Sequence, residues 1–397
     1  MSTTQLNSPH QPLPHAHPAD VGLCPERTQR LMDVLRREVA SGRLPGAVAM
    51  VARQGKIALF EAVGQQDPAS GSAMQPDSIF RIYSMTKPVV SVAVMMLVER
   101  GQLLLSDPVS RWLPEYAKQQ VATSNGLEPV HNPATVQDLL RHTAGLTYEF
   151  LGMSSVQQQY GQVKIGSRER SNDEFSQTLA ALPLQHQPSS VWAYSRATDV
   201  LGRLVEVVSG QGLGAFLQAE IFGPLGMVDT GFAVPPEHHH RIAEPFAHDP
   251  DGGVPMKVIE PRQVPTMEGG GGGLMSTTMD YARFLQCLRN RGELNGVRLL
   301  GPHTVDYMTA DHLGDIPSEG PLLPPGHGFG LGFAVRTHLG VSPVPGSVGL
   351  YYWGGIAGTT FFVDPALDLY AMLMIQAPNQ RDYYRPLFRD LVYAALV

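Results

Sequence analysis

The chain has 397 residues. At about 150 residues per domain that length accommodates two or three units and a sizeable core, with no disulfide or metal staple required. Charged residues make up only 16%, and 29 Lys and Arg against 36 Asp and Glu leave a formal charge of −7, so no basic field marks a nucleic acid or an anionic membrane as partner.

Residues 1–20 (MSTTQLNSPHQPLPHAHPAD) are polar, rich in Pro and His, and lack the apolar centre of a signal peptide. They are expected to form a flexible tail, and the chain is expected to be cytoplasmic. Cys24 and Cys287 form neither a C-x-x-C nor a zinc spacing. Residues 26–39 (ERTQRLMDVLRREV) have the period of an amphipathic helix that ends before Ser41 and Gly42. Between Gly46 and Gly64 the runs AVAMVA and IALFEAV flank Arg53-Gln54-Gly55-Lys56, the pattern of a hairpin. A short extended stretch from Ile79 then leads into residues 88–98 (PVVSVAVMMLV), with Gly101 as C-cap. Apolar on nearly every side and too short to cross a bilayer, this is a helix for the middle of a large protein.

The central third is mainly helical, with long loops supplied by the 41 glycines and 33 prolines. Helical periodicity runs through residues 135–142, 172–181, 197–209 and 216–222, and again from Thr277. There Thr277 and Asp280 have capping-box spacing, Asp standing for the usual Glu or Gln. The glycine run 269–273 just before it lacks the G-x-G-x-x-G order and is expected to be a flexible loop. Residues 329–336, 347–353, 359–363 and 369–376 are short and rich in β-formers, with a turn at 364–368, and a helix at 381–396 closes the chain. The two ends are expected to form one antiparallel sheet flanked by N- and C-terminal helices, built from 21–83 and 284–397. The middle, 84–283, is expected to be an inserted, mainly helical domain, with the active site at the junction. The fold class is α+β.

The sharpest local feature is Ser84-Met85-Thr86-Lys87 at the start of the apolar helix. Positions i and i+3 share a helix face, so Ser84 Oγ and Lys87 Nζ can meet. A serine needs an adjacent base to become a nucleophile, and a lysine in apolar surroundings loses basicity and can serve as one. A helix N-terminus would also direct amide groups at a developing oxyanion. S-x-x-K is common by chance, however, and the same four residues also describe an N-cap serine followed by a surface lysine.

The longer segment, Phe80-Arg81-Ile82-Tyr83-Ser84-Met85-Thr86-Lys87-Pro88, resembles the nucleophile region of the serine β-lactamase and penicillin-binding-protein superfamily. Within it the chain is similar to the class C β-lactamase-like hydrolases and the family VIII carboxylesterases. Leu139-Leu140-Arg141-His142-Thr143-Ala144-Gly145-Leu146 resembles their LLxHTxGL segment, Gly226-Met227-Val228-Asp229-Thr230-Gly231-Phe232 their PLGMxDTxF stretch, and Gly328-Phe329-Gly330-Leu331-Gly332-Phe333 their GYGLGW strand. The motifs fall in the family's order from about residue 20 to the C-terminus. The resemblance implies a β-lactamase/transpeptidase-like fold with Ser84 as nucleophile and Lys87 and Tyr194 as its base system.

Two departures matter. Tyr194-Ser195-Arg196 stands where the family has Tyr-x-Asn, so the tyrosine that can relay the Ser84 proton is kept, as a phenolate or as a phenol bonded to Lys87, while the Asn that holds a lactam's amide side chain is replaced by Arg196. Trp353-Gly354-Gly355 stands where β-lactamases have Lys-Thr-Gly, a replacement that resembles the carboxylesterases. Trp353 then offers an apolar wall, Gly354 and Gly355 let the strand approach the substrate, and the resemblance makes the amides of Ser84 and Ile356 the oxyanion hole. Tyr148 is expected to line the cleft.

His142 is taken as structural, since in this family the Lys/Tyr pair does a triad histidine's work. His15, His17 and the run His238-His239-His240 are taken as loop residues, not metal ligands. No G-x-S-x-G, H-E-x-x-H or P-loop occurs. The expected activity is that of a serine carboxylesterase on short-chain esters, working through an acyl-enzyme with no cofactor and no metal, and with a small-molecule ester as its partner. The alternatives on the same site are a β-lactamase, a D-amino-acid peptidase or an acyltransferase. A third reading, a catalytically silent binding protein, is opposed by the presence of Ser84, Lys87 and Tyr194 together. Oligomeric state and natural ester are not legible.

Overall fold

The computed structural model describes residues 11–397. Helix α1 (Pro25–Ala40) is followed by the expected hairpin, β1 (Gly46–Arg53) and β2 (Lys56–Asp67), then by the short strands β3 (Ser72–Ala73) and β4 (Phe80–Arg81) and by the apolar helix α2 (Thr86–Glu99). The middle contains a hairpin, β5 (Gln120–Thr123) and β6 (Gly126–Pro129), and helices α3 (Val136–Leu140), α4 (Ser155–Gln162), α5 (Asn172–Ala180), α6 (Ala197–Ser209), α7 (Leu213–Leu217) and α8 (Gly223–Leu225). Helices α3, α4 and α5 start at full capping boxes on Thr135, Ser154 and Ser171. Strand β7 (Met275–Ser276) leads into α9 (Thr278–Arg289), the hairpin β8 (Glu293–Leu294) and β9 (Val297–Arg298), and α10 (Pro302–Met308). The chain ends in the meander β10 (His327–Phe329), β11 (Ala334–Arg336), β12 (Tyr351–Gly354), β13 (Thr360–Asp364) and β14 (Leu369–Ile375), and in α11 (Arg381–Ala394).

The two ends of the chain meet in one eight-stranded sheet of order β10-β11-β12-β13-β14-β1-β2-β3, antiparallel at each pairing. Strand β1 pairs with β14 from Ala47↔Ile375 to Arg53↔Leu369, so the first and last strands lie side by side in the middle. Alternate side chains of a strand point to opposite faces. Ala47, Ala49 and Val51 with Leu369, Ala371, Leu373 and Ile375 face one side, where Leu31, Met32 and Leu35 of α1 and Tyr384, Phe388 and Val392 of α11 cover them. Val48, Met50 and Ala52 with Tyr370, Met372 and Met374 face the other side, against the core that contains α2. Burial on both faces is why β1 and β14 read as unbroken apolar runs and not as alternating ones.

Helix α2 lies at the centre of the larger core, with residues 86–97 all buried. Among the described residues no single helix is long and apolar enough to cross a membrane.

Three expectations change. Residues 1–10 of the expected tail lie outside the described residues, but the part from residue 11 packs on the sheet: Leu13 is 2% exposed, Ala16 donates to the Ile57 carbonyl, and Ile57 donates back to Pro14. His15 bridges to Ile57 and His17 caps the turn Pro18–Val21, so both histidines serve the backbone. Asp280 does not return to Thr277. Thr277 caps α9 alone, and the Asp280 carboxylate accepts from the Asp229 amide (2.7 Å) and the Thr230 hydroxyl (2.8 Å). The third change concerns the glycine run, which is packed into the site described below.

Leu13→Ala is expected to lower the unfolding free energy by about 2–4 kcal/mol, the usual range for emptying a buried leucine site. Denaturant titration measures this; an unchanged midpoint would mean that the segment contributes nothing to the fold.

Candidate active site

The site forms where β4, the turn after it and the start of α2 meet β7 and the end of β12. Strand β4 pairs with β7 (Phe80↔Ser276, Arg81↔Met275), which draws the glycine run against the turn Tyr83–Met85 that carries Ser84. Tyr83, immediately before the serine, has φ 44, a left-handed conformation that a bulky residue rarely adopts, and its hydroxyl accepts from the Ile259 amide at 2.8 Å. At the end of β12, a Cβ on Gly355 would strike the Ile82 carbonyl oxygen, so only glycine allows this strand to touch the turn that carries Ser84. Ile356 follows in the turn that leaves β12, and Arg385 of α11 donates to the Gly355 carbonyl.

Lys87 is fully buried, and its Nζ has three hydrogen-bond partners: Ser84 Oγ at 3.2 Å, the Tyr148 hydroxyl at 3.0 Å and the Gly271 carbonyl at 2.6 Å. Burial pushes its pKa down to about 7, with a smaller upward pull from Asp199 and a downward push from Arg196. A large fraction of the amine is therefore neutral near pH 7 and able to accept a proton.

Tyr194 is also buried. Lys87 Nζ sits over its ring, 4.5 Å from the centroid, while the Tyr194 hydroxyl lies beside Ser84 and accepts a hydrogen bond from Trp353 Nε1 at 3.2 Å. Burial raises its pKa, so Tyr194 is held as a neutral phenol and not as a phenolate. The ring of Trp353 stands 5.2 Å from that of Tyr194 and 5.3 Å, edge-on, from Phe329.

The structure thus brings Ser84, Lys87, Tyr194, Trp353 and Tyr148 together, with Gly354, Gly355 and Ile356 closing the β12 side. Tyr148 does more than line a cleft, because its hydroxyl lies on the lysine. Its ring continues outward to Phe150 at 4.8 Å, and Phe150, Leu151 and Met153 form an exposed apolar rim. His142 is buried behind Tyr194, 5.0 Å between ring centroids, with Nδ1 on Ser195 Oγ at 3.1 Å, and burial holds its pKa well below the usual histidine range. His238, His239 and His240 lie on the turn Pro236–Arg241, where a ring nitrogen of His239 bonds to the Val234 carbonyl.

Two residues of the site, Gly271 and Asp199, escaped sequence reasoning. Gly271, from the run taken as a flexible loop, holds Lys87 through its carbonyl and Asp199 through its amide (2.8 Å). The run is packed tightly: a Cβ on Gly270 would come within 2.5 Å of the Thr198 carbonyl, and one on Gly271 within 2.7 Å of the Asp199 carboxylate. Asp199 is 3% exposed and pairs with Arg196 at 3.4 Å. The available signal was the spacing of Arg196 and Asp199, three apart at the start of a helical period.

Comparison with known proteins agrees with this geometry. The model of the Beta-lactamase family matches residues 31–394. Esterase EstB of Burkholderia gladioli is 37% identical over 92% of this chain and 95% of its own, and the lovastatin esterase of Penicillium rubens is 30% identical over 85% and 90%. Among solved structures, EstCE1, described as a hydrolase with promiscuous acyltransferase activity, superimposes with a TM-score of 0.80 at 26% identity, covering 92% of this chain and 98% of its own.

A buried lysine whose pKa is lowered from 10.5 to about 7 destabilises the fold fully below the lower value, and that penalty fades as pH rises toward the higher one. Lys87→Met is therefore expected to change the melting temperature more favourably at pH 6 than at pH 9. Thermal melts of both proteins at the two pH values check the sign, and an equal change at both would contradict a displaced lysine. With its family model, its relatives and its fold in agreement, the chain belongs to the Beta-lactamase family.

Proposed function

We propose that this chain is a serine carboxylesterase that hydrolyses short-chain esters through an acyl-enzyme on Ser84. The observation that carries this reading is the contact between Ser84 Oγ and a fully buried, weakly basic Lys87. The neutral amine takes the Ser84 proton as Oγ bonds to the ester carbonyl carbon, and the carbonyl electron pair moves to its oxygen. The amides of Ser84 and Ile356 are assigned to that oxyanion. Tyr194, a neutral phenol within reach of Ser84, delivers a proton to the departing alkoxide and is reprotonated from Lys87. Water, activated by the same groups, then cleaves the acyl–Ser84 bond.

Trp353 supports esters over β-lactams: it places an indole, not a cation, on the strand beside the nucleophile, so a substrate carboxylate gains no partner there. The rings of Tyr148, Tyr194 and Trp353 crowd the serine and favour a short acyl chain, and the rim at Phe150, Leu151 and Met153 favours apolar substrates. A second reading, acyl transfer to an alcohol, is favoured by the same apolar walls, which disfavour water relative to an organic acceptor. EstCE1 carries that activity in its description.

Turnover of p-nitrophenyl acetate, butyrate, octanoate and nitrocefin by the wild type and by Ser84→Ala tests the proposal. Hydrolysis is expected to be fastest on the shortest esters, slow on nitrocefin, and reduced about 1,000-fold or more in Ser84→Ala, as for loss of a nucleophile. Dominant nitrocefin turnover, or an active Ser84→Ala, would sink it. Added alcohol that diverts product to a new ester would establish acyl transfer.

A further inference from the structure

Two of the three polar partners of Lys87 are held by residues that never touch it. The Gly271 carbonyl accepts from Nζ, and the amide of the same residue donates to Asp199 Oδ1 at 2.8 Å. Asp199 pairs through its other oxygen with Arg196 at 3.4 Å. The Arg196 guanidinium lies 4.7 Å above the Tyr148 ring and also pairs with Glu149, the next residue along the chain. The Tyr148 hydroxyl returns to Nζ at 3.0 Å. These contacts form a closed circuit: Lys87, Gly271, Asp199, Arg196, Tyr148 and Lys87 again.

We infer that Arg196 and Asp199 are positioning residues for Lys87, acting as one ion pair that fixes the Tyr148 hydroxyl and the Gly271 carbonyl around Nζ. The inference rests on the serine-hydrolase reading above. It gives a function to the residue that departs from Tyr-x-Asn: a guanidinium can pair with two carboxylates while its plane covers a ring, which a lysine cannot do. A protonated Nζ has three N–H groups and a neutral one has two. With Ser84 Oγ, Tyr148 and Gly271 in place, the amine that has taken the Ser84 proton finds an acceptor for each of its three hydrogens. A drifting Tyr148 or Gly271 would leave one of them unpaired in a dry site.

The pair also balances charge. The charged and titratable groups around Nζ are Asp199, Arg196 with Glu149 behind it, the phenols of Tyr148 and Tyr194, and His142 behind Tyr194. Asp199 stabilises the protonated amine and Arg196 opposes it. Removing either one is expected to slow acylation and to move the acid limb of the kcat/KM profile in opposite directions.

The experiment compares pH profiles of short-ester hydrolysis for the wild type, Arg196→Gln, Arg196→Lys, Asp199→Asn and Tyr148→Phe. Melting temperature and fluorophosphonate labelling of Ser84 are recorded for each. The expected result is a fall in kcat of about tenfold to a hundredfold with a smaller change in KM, as for a displaced catalytic group. The acid limb is expected to move to higher pH in Arg196→Gln and to lower pH in Asp199→Asn. It should stay in place in Arg196→Lys, which keeps the charge but loses the fork. Limbs that move together, or kcat within about twofold of wild type in all four variants, would overturn the inference while leaving the esterase reading intact. An active Ser84→Ala would overturn both. Should Arg196→Gln fail to fold, Asp199→Asn and Tyr148→Phe carry the same test, since Asn still accepts from the Gly271 amide and Phe keeps the ring under Arg196.

Discussion

Placing a lysine amine inside a helix core is the constraint around which this molecule is arranged. Lys87 is the second residue of a helix whose neighbours up to Leu97 are all buried, and burial alone would drive its charge out. An amine cannot remain there without polar partners, because an unpaired buried donor loses its bonds to water with no compensation. The chain meets that demand with a backbone carbonyl, a phenol and the serine itself. The first of these requires the glycine run to pass within hydrogen-bond reach of α2. That approach explains the short pairing of β4 with β7, the donation from the Leu274 amide to Thr86 Oγ1 at 3.1 Å, and the exclusion of side chains at Gly270 and Gly271.

Two residues in left-handed backbone stand at the same place. Tyr83 and His142 both have positive φ, 44 and 58, Tyr83 next to Ser84 and His142 against Tyr194. Non-glycine residues hold such angles only where their surroundings over-determine them. Tyr83 is anchored through its hydroxyl to Ile259. His142 is enclosed by Trp192, Tyr194 and Phe329 and tied to Ser195. Both anchors act on side chains far from the backbone they constrain, so the turn presenting Ser84 and the ring backing Tyr194 are set by tertiary packing and not by local preference.

This division also decides what the sequence could reveal. The hairpin of β1 and β2, the meander, and helices α1, α5, α6 and α11 were legible because each depends on its own period, caps and turns. Ser84, Lys87, Tyr194 and Trp353 stood out because their types recur at the family's spacing. The glycine run misled because five glycines in a row mean flexibility until something presses on them, and what presses is α6, through the Thr198 carbonyl and the Asp199 carboxylate. Asp280 had the spacing of a capping residue, but the Asp229 amide and the buried Thr230 hydroxyl drew its carboxylate away. Arg196 was visible as a departure and Asp199 stands three residues on in the same helix, but Glu149 and the Gly271 amide, which complete their contacts, come from distant parts of the chain that only the fold brings together.

Trp353 also bears on how the proposed mechanism divides its proton transfers between Lys87 and Tyr194. An indole N–H can only donate, so the Tyr194 oxygen is occupied as an acceptor and its own proton is free to be given elsewhere. Burial keeps that proton on the phenol, which in the proposed mechanism suits Tyr194 to donate to the leaving group and leaves Lys87 to take the serine proton. A lysine in place of Trp353 would add a second cation to a site that already disfavours one. It would also press the Lys87 pKa further down and pull Tyr194 toward the phenolate, merging roles that the proposed mechanism keeps separate. Under the proposed function the low charge of the chain has a meaning at this position: a neutral donor beside Tyr194 keeps acid and base distinct, and the same indole would give an uncharged ester a wall where a lactam's carboxylate would need a cation.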